Sequence, residues 1–194
     1  MEDGITRAWK DAGLSSPDLT GRTGLPRESI AELVNELRRG AGLEGLEACR
    51  ALTKVGPAAI PLIETVLSDR DKGVRWRAAH CLAAMQCPEA LSGLLHAFHD
   101  DSPDVAWIAA NGLIALGPNV SADVLRSVLR HRITFVTIYA LRHYAENALP
   151  RRIFRPIIAA THGLGVISAT LVAVSRALDA LSAESLLEEG SSGD

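Results

Sequence analysis

Apolar and polar positions along this chain follow the period of an α-helix, and one phrase recurs. Residues 74–85 read VRWRAAHCLAAM and residues 105–116 read VAWIAANGLIAL, 31 positions apart, with small or apolar residues on the same slots. With Val74 as offset zero, Ala78, Ala79, Cys81, Leu82 and Met85 stand at offsets 4, 5, 7, 8 and 11. Val105 leads Ala109, Ala110, Gly112, Leu113 and Leu116 through the same series, and Glu44 leads Ala48, Cys49, Ala51, Leu52 and Val55. This is the stripe of a 3.6-residue helix, with small side chains where a neighbouring helix must come close. A fixed period of this size predicts stacked helical units rather than a single-core enzyme fold.

A second stripe lies between these helices. Ile30, Leu33 and Leu37 are matched by Ile60, Ile63 and Leu67, then by Leu91, Leu94 and Phe98, and Val124, Leu125, Val128 and Leu129 form its equivalent further on. The stops are Gly56-Pro57, Cys87-Pro88 and Gly117-Pro118, where glycine supplies a left-handed cap and proline opens the next helix. The turns inside each unit are acidic and polar, Asp69-Arg-Asp71 and Asp100-Asp-Ser-Pro-Asp104, and such residues cap the helix that follows. The pattern predicts about five helical hairpins, near 26–56, 57–86, 88–117, 119–148 and 150–182. Val136 and Val166 keep the spacing as offset zero of the last two, although Tyr144 and Asn147 replace the expected leucine and aliphatic residue. Residues 1–25 are expected to hold a short helix over 5–14, with Trp9 capping the stack, and a linker. Residues 183–194 read as an acidic, frayed tail.

The run Val74-Arg75…Ala78-Ala79…Leu82 resembles the second helix of a HEAT repeat, whose pattern is Asp-x-x-x-Val-Arg-x-x-Ala-Ala-x-x-Leu. It is most similar to the short HEAT-like version named for phycobilisome lyases. Asp101 occupies the leading acid slot before Val105; before Val74 that slot is Arg70, with Asp69 and Asp71 on either side. The resemblance spans 26–182 and is strongest in 44–118. It implies an all-α fold, an α-solenoid coiled as a right-handed superhelix, with the second helices lining the concave side. It implies no single activity, because the family includes scaffolds, adaptors, chromophore-lyase subunits and a DNA-glycosylase branch.

Offsets 2 and 6 of each second helix point away from the stripe, and the resemblance places them on the concave side. Offset 2 is Leu46, Trp76, Trp107 and Ile138; offset 6 is Arg50, His80, Asn111 and Arg142. Trp76 and Trp107 on corresponding slots form either an exposed pair, costly to leave in water, or a packing contact between repeats. Trp and Arg are also the residues most enriched at binding hot spots. The expected partner-binding set is therefore Trp76, His80, Trp107, Asn111, Ile138 and Arg142.

Charge adds a second feature. Between Val124 and Leu178 stand eight arginines and one acid, Glu146, in a chain of net charge −3. Arg126, Arg130, Arg132, Arg151, Arg152 and Arg155 are expected to steer an acidic partner, or to be neutralised by the chain's own acidic tail. Nucleic acid is the lesser reading, because lysine is absent there and aromatics do not alternate with the basic residues.

The remaining chemistry is thin. His96-x-x-His99 puts two imidazoles on one helical face, but no Cys or Glu pair stands by to complete a metal site. Cys87, beside Pro88, is a candidate reactive thiol with no evident activator. Gly163-Leu-Gly165 does not follow a strand as a phosphate loop would. No catalytic residues, metal or cofactor are assigned. Three cysteines, two of them on core slots, fit reduced thiols in a cytoplasm rather than a disulfide framework. The N-terminus lacks the apolar run of a signal peptide, and Ile157–Leu181 reads as two core helices rather than a membrane span. The expected function is a non-enzymatic, cytoplasmic scaffold or adaptor that grips a protein partner. The alternatives are an enzyme or enzyme subunit of lyase-like or glycosylase-like type, and self-association through the C-terminal repeat.

Overall fold

Short-range periodicity and caps decide where each helix begins and ends. A computed structural model of the protein describes residues 27–40, 43–148, 151–162 and 165–191. Among these residues every regular element is helical: α1 Arg27–Arg39, α2 Leu43–Val55, α3 Ile60–Glu64, α4 Lys72–Met85, α5 Leu91–Phe98, α6 Pro103–Ala115, α7 Ser121–Arg130, α8 Phe135–Asn147, α9 Arg151–Ala160 and α10 Val166–Ser191. Single 3₁₀ turns at Gly56–Ala59, Pro88–Ala90 and Pro118–Val120 open the second, third and fourth hairpins. The expected N-terminal helix with Trp9 lies outside the described residues.

The predicted stops act as expected, with one substitution. Gly56 and Gly117 have φ of +78° and +88°, and Pro57, Pro88 and Pro118 sit in the first turn of the 3₁₀ segments. At the third junction, where no glycine is present, Gln86 takes the left-handed conformation (φ +48°). The start signals differ from the family pattern. Asp71, not residue 70, caps α4 and accepts from the Gly73 amide at 2.8 Å. Ser102, not Asp101, holds the cap position of α6, and Asp100 Oδ1 accepts from its amide at 2.8 Å. Thr134 caps α8 in a reciprocal box with Thr137.

The chain packs as two compact units, Met1–Ala97 and Phe98–Asp194. In the first, α2 lies between α1 and α4, and α3 rests on α4. Leu33, Leu37, Leu52, Ile63 and Leu82 are buried to within 1% exposure around Ala48, Ala78 and Ala79. Arg77 on α4 reaches the end of α1, where its Nε donates to the Leu37 carbonyl at 2.8 Å and its Nη2 to the Arg38 carbonyl at 3.2 Å. It thereby satisfies two of the carbonyls that a helix C-terminus leaves open. Gly45 makes room for this crossing: a Cβ there would lie 2.6 Å from Arg77 Cδ and 2.8 Å from the Gly40 carbonyl oxygen.

In the second unit α8 packs between α6 and α9, and α10 covers both α9 and α7. Here the spacing changes. The cap residues Asp71, Ser102 and Thr134 are 31 and then 32 positions apart, because α7 has ten residues where α5 has eight while α6 has thirteen where α4 has fourteen. Offset zero of α8 is therefore Thr137, not Val136. In the corrected register Tyr144 and Ala145 fall where Gly112 and Leu113 stand in α6. A glycine–leucine pair has become a tyrosine–alanine pair, so the large residue stands one position earlier on the buried face. Tyr144 is fully buried, edge-on to Phe154 at 5.7 Å, with its hydroxyl 3.1 Å from Ser121 Oγ. The C-terminal reading also needs correction: α10 continues as helix to Ser191, through most of the segment expected to fray.

Gly45→Ala is expected to destabilise the protein by ~1–3 kcal/mol, although alanine is the better helix former, because the backbone carbonyl of Gly40 cannot yield. Arg77→Ala should cost ~1–3 kcal/mol through the two orphaned carbonyls. Urea denaturation measures both, and unchanged midpoints would sink the account of this crossing.

Candidate functional site

Residues at offsets 2 and 6 are one helical turn apart, so their side chains lie one above the other on the same face. On α4 this pairs Trp76 with His80, whose rings stack at 5.1 Å with an 18° interplanar angle. Both residues are half-buried. His80 Nδ1 lies 3.5 Å from Cys49 Sγ on α2. Their mutual interaction raises the imidazole pKa, chiefly through the hydrogen bond to Cys49 and against the pull of burial. The Cys49 thiol pKa is lowered, first by a hydrogen bond from Cys81 and then by His80, with burial opposing. Cys81 moves the other way, because burial and the neighbouring Cys49 both disfavour a second thiolate.

In the second unit, offset 2 of α6 is Trp107 and offset 6 is Asn111. Across from them on α8, the corrected register puts Tyr139 and His143 at the same offsets. The His143 ring stacks on Trp107 at 3.5 Å and 20°, and Tyr139 lies 5.0 Å from the indole at 30°. His143 Nε2 donates to Asn111 Oδ1 at 2.7 Å. On the other side Asn147 Nδ2 donates to the His143 carbonyl at 2.8 Å and lies 3.3 Å from His143 Nδ1. An amide oxygen only accepts and an amide nitrogen only donates, so this arrangement selects the neutral imidazole protonated at Nε2. Burial lowers the His143 pKa accordingly, and the nearby Glu146 charge offsets this in part. Tyr139 remains 50% exposed, and Phe135, one turn before it on α8, is 77% exposed. The result is a run of stacked or open rings, Trp107, His143, Tyr139 and Phe135, within the second unit.

Two of the expected contact residues do not reach this surface. Ile138 is 6% exposed and belongs to the core. Arg142 takes the slot that Ala79 and Ala110 hold in the other helices, and its Nε donates to Glu146 Oε1 at 2.9 Å. Tyr139, His143 and Phe135 were not anticipated. The one-residue shift hid the first two, although Thr134 ahead of an apolar run is a cap signal that marks the true register. Trp107 falls between the two placements left open by the sequence, since one face packs on the next hairpin while the residue stays partly exposed.

The arginines are mostly displayed. Arg130, Arg132, Arg151, Arg152 and Arg155 are exposed, and Arg126 pairs with Asp123 at 3.1 Å. His96 is exposed, whereas His99 turns inward to Ser127 Oγ at 2.6 Å and stacks on His131 at 4.3 Å. Among the described residues no three His, Cys, Asp or Glu side chains converge as a metal site. Cys87 is half-buried, and burial raises its thiol pKa, contrary to a reactive role. Residues 163 and 164 lie outside the described residues. One described helix, over Val166–Ala183, is long and apolar enough to cross a membrane. On it Ile167, Leu171 and Val172 are exposed.

Comparison with known proteins identifies one family. A family model described as HEAT repeats matches residues 30–114 and 60–143. No curated protein and no solved structure matches the chain.

The two histidines are expected to titrate on opposite sides of the ordinary value of 6.5, His80 above it and His143 below. For His143 the unfolded chain then binds more protons than the folded one between the two values. Its contribution to stability is therefore present above 6.5 and lost as the pH falls through the folded value. An NMR titration of the imidazole signals checks this, with Cys49→Ala bringing His80 back toward 6.5. The reverse order would contradict the described hydrogen bonds.

Proposed function

The chain belongs to the HEAT-repeat family, whose repeats commonly serve as protein-interaction scaffolds, and we propose that it is a non-enzymatic adaptor that docks a protein partner on the ring surface of its second helices. The observation that carries this reading is the exposure of Phe135 and Tyr139 beside a Trp107–His143 stack that is already assembled. Aromatic side chains that are held in place lose little rotamer freedom on binding, so more of their apolar contact appears as affinity. Asn111 and Asn147 hold the His143 ring on both edges, which fixes the floor of the surface.

A non-enzymatic role fits the way the polar groups are engaged. His143 is committed to two asparagines and Glu146 to Arg142, so neither is presented as a base to a substrate. Trp76 and His80 form the corresponding stacked pair within the first unit. The exposed arginines 130, 132, 151, 152 and 155 favour an acidic partner, mainly by accelerating encounter. That contribution weakens with salt, whereas the ring contacts do not.

The test is a pull-down from the native host with wild type and with Trp107→Ala/Tyr139→Ala, protein and nucleic acid both being analysed in the eluate. A protein retained stoichiometrically by the wild type should be lost from a double variant of unchanged far-UV circular dichroism. Each truncation should weaken binding by about 30-fold, as for a hot spot of ~2 kcal/mol. Equal retention by both forms would defeat the reading, and specific retention of nucleic acid alone would replace it.

A further inference from the structure

We infer that two copies of this chain associate through α10, the helix pairing with itself in opposite directions across a two-fold axis. The inference is independent of the docking reading, since it uses another helix and another occupant. It begins from the spacing of apolar residues along α10. Ile167, Leu171, Val174, Leu178 and Leu181 are separated by alternating steps of four and three residues. That spacing keeps an apolar seam turned toward a second helix. Ser168, Ser175 and Ser182 run beside the seam at steps of seven.

The unit's own packing uses only part of this seam. α10 lies on α7 and α9, and its buried residues are Thr170, Ala173, Val174 and Ala177. Of the seam, only Val174 is among them. Ile167 and Leu171 are 40% and 36% exposed, Leu178 and Leu181 are half-buried, and the three serines are exposed. From Val166 to Ser175 the helix carries no charge, and the exposed Arg176 and Asp179 fall outside the seam. Length adds to the mismatch. α10 has 26 residues and α7 and α9 have ten each, so a helix of ~39 Å lies on helices of ~15 Å. Leu178 and Leu181 stand past Ala177, where burial against the unit stops. A terminal repeat ordinarily closes a stack with a polar outer face. Here the last hairpin presents an uncharged aliphatic stripe instead.

A second α10 is the occupant that symmetry and charge favour. A two-fold contact uses the same patch on both copies, so one stripe makes a complete interface. Charge sets the direction. After Arg176 the sequence carries Asp179, Glu184, Glu188 and Glu189 and no lysine or arginine. Parallel helices would set these acids side by side, whereas antiparallel helices carry them to the start of the other copy's α10. Helices α7 to α10 follow one another through short connections, so α7 ends where α8 starts, α9 ends and α10 starts. The Thr170 hydroxyl, donating to the Ala160 carbonyl at 3.5 Å, ties the last two together there. This end exposes Arg130, Arg132 and His162, and the positive end of the α10 dipole lies beside them. The one acid in the sequence from Val124 to Leu178 is Glu146, near the opposite end of α8. Crossing a membrane fits the helix less well, because lipid would have to take up Arg176 and Asp179 and displace α7 and α9 from the buried face.

The test is the mass of the full chain in solution, by light scattering and sedimentation equilibrium over micromolar concentrations. The expected result is a dimer that dilutes to the monomer of 20.6 kDa. Leu171→Glu should raise the dissociation constant at least about tenfold, because the new carboxylate would be buried in an apolar seam. Val172→Glu, at a more exposed position outside the seam, should change it by no more than about twofold, as a surface substitution does. Arg130→Glu/Arg132→Glu should weaken the dimer at low salt, with the effect fading at high salt. Both single substitutions fall on exposed positions, and far-UV circular dichroism checks that each variant is folded. A monomer at every concentration would overturn the inference, and capture of that monomer by phosphatidylserine vesicles would replace it with a membrane contact. A dimer unmoved by Leu171→Glu would overturn the assignment to α10, and one strengthened by the arginine substitutions would overturn the antiparallel direction.

Discussion

Within each unit, neighbouring second helices pack through small residues, α2 against α4 and α6 against α8, and the rest of the structure depends on that approach. Ala48, Cys49 and Ala51 on α2 and Ala78, Ala79 and Cys81 on α4 are buried to within 3% exposure, as are Ala109, Ala110 and Leu113 on α6. Leucine at those slots would push the axes apart. With small residues there, nearest-neighbour contact alone buries the stripe, as in any repeat architecture. The crossing of Arg77 over Gly45 is a product of the same closeness. A long side chain from α4 can cap α1 only because Gly45, on the helix it crosses, has no side chain.

Close approach also brings the outward-facing rows into contact, and there the chemistry arises. His80 reaches Cys49 and His143 reaches Asn111 at sequence separations of 31 and 32, one repeat in each case. The two imidazoles occupy equivalent offsets and behave oppositely, because their neighbours differ. A buried thiol that can become an anion draws a proton onto His80. Two amides offer one acceptor and one donor, which suits a neutral His143. Equivalent position in a repeat therefore sets geometry, while the facing residue on the preceding or following helix sets charge.

The fourth hairpin shows how a repeat tolerates a change in length. With α7 two residues longer than α5 and α6 one shorter than α4, the cap of α8 moves by one residue to Thr134, and every offset moves with it. The core absorbs the shift by exchanging large and small residues, Tyr144-Ala145 for Gly112-Leu113, and by satisfying the new hydroxyl with Ser121. On the outer face, the shift brings Tyr139 and His143 to the positions where they close on Trp107. Arg142, pushed onto a slot elsewhere held by alanine, pairs with Glu146.

Read alone, the sequence determined the helical class, the hairpin boundaries of the central repeats and most of the core. Those depend on a local period and on caps such as Asp71, Gly56 and Pro118, all of which act within a few residues. It also placed Trp76, His80, Trp107 and Asn111 on the correct helix face. The register of α8, the burial of Ile138 and the ring stack on Trp107 were decided only in the tertiary structure, as was the meeting of Cys49 and His80. Each depends on which residue of one helix lies opposite which residue of another. A single extra residue changes that choice, and a side chain's charge follows from the neighbour it meets there. Helix periodicity carries no information about that neighbour.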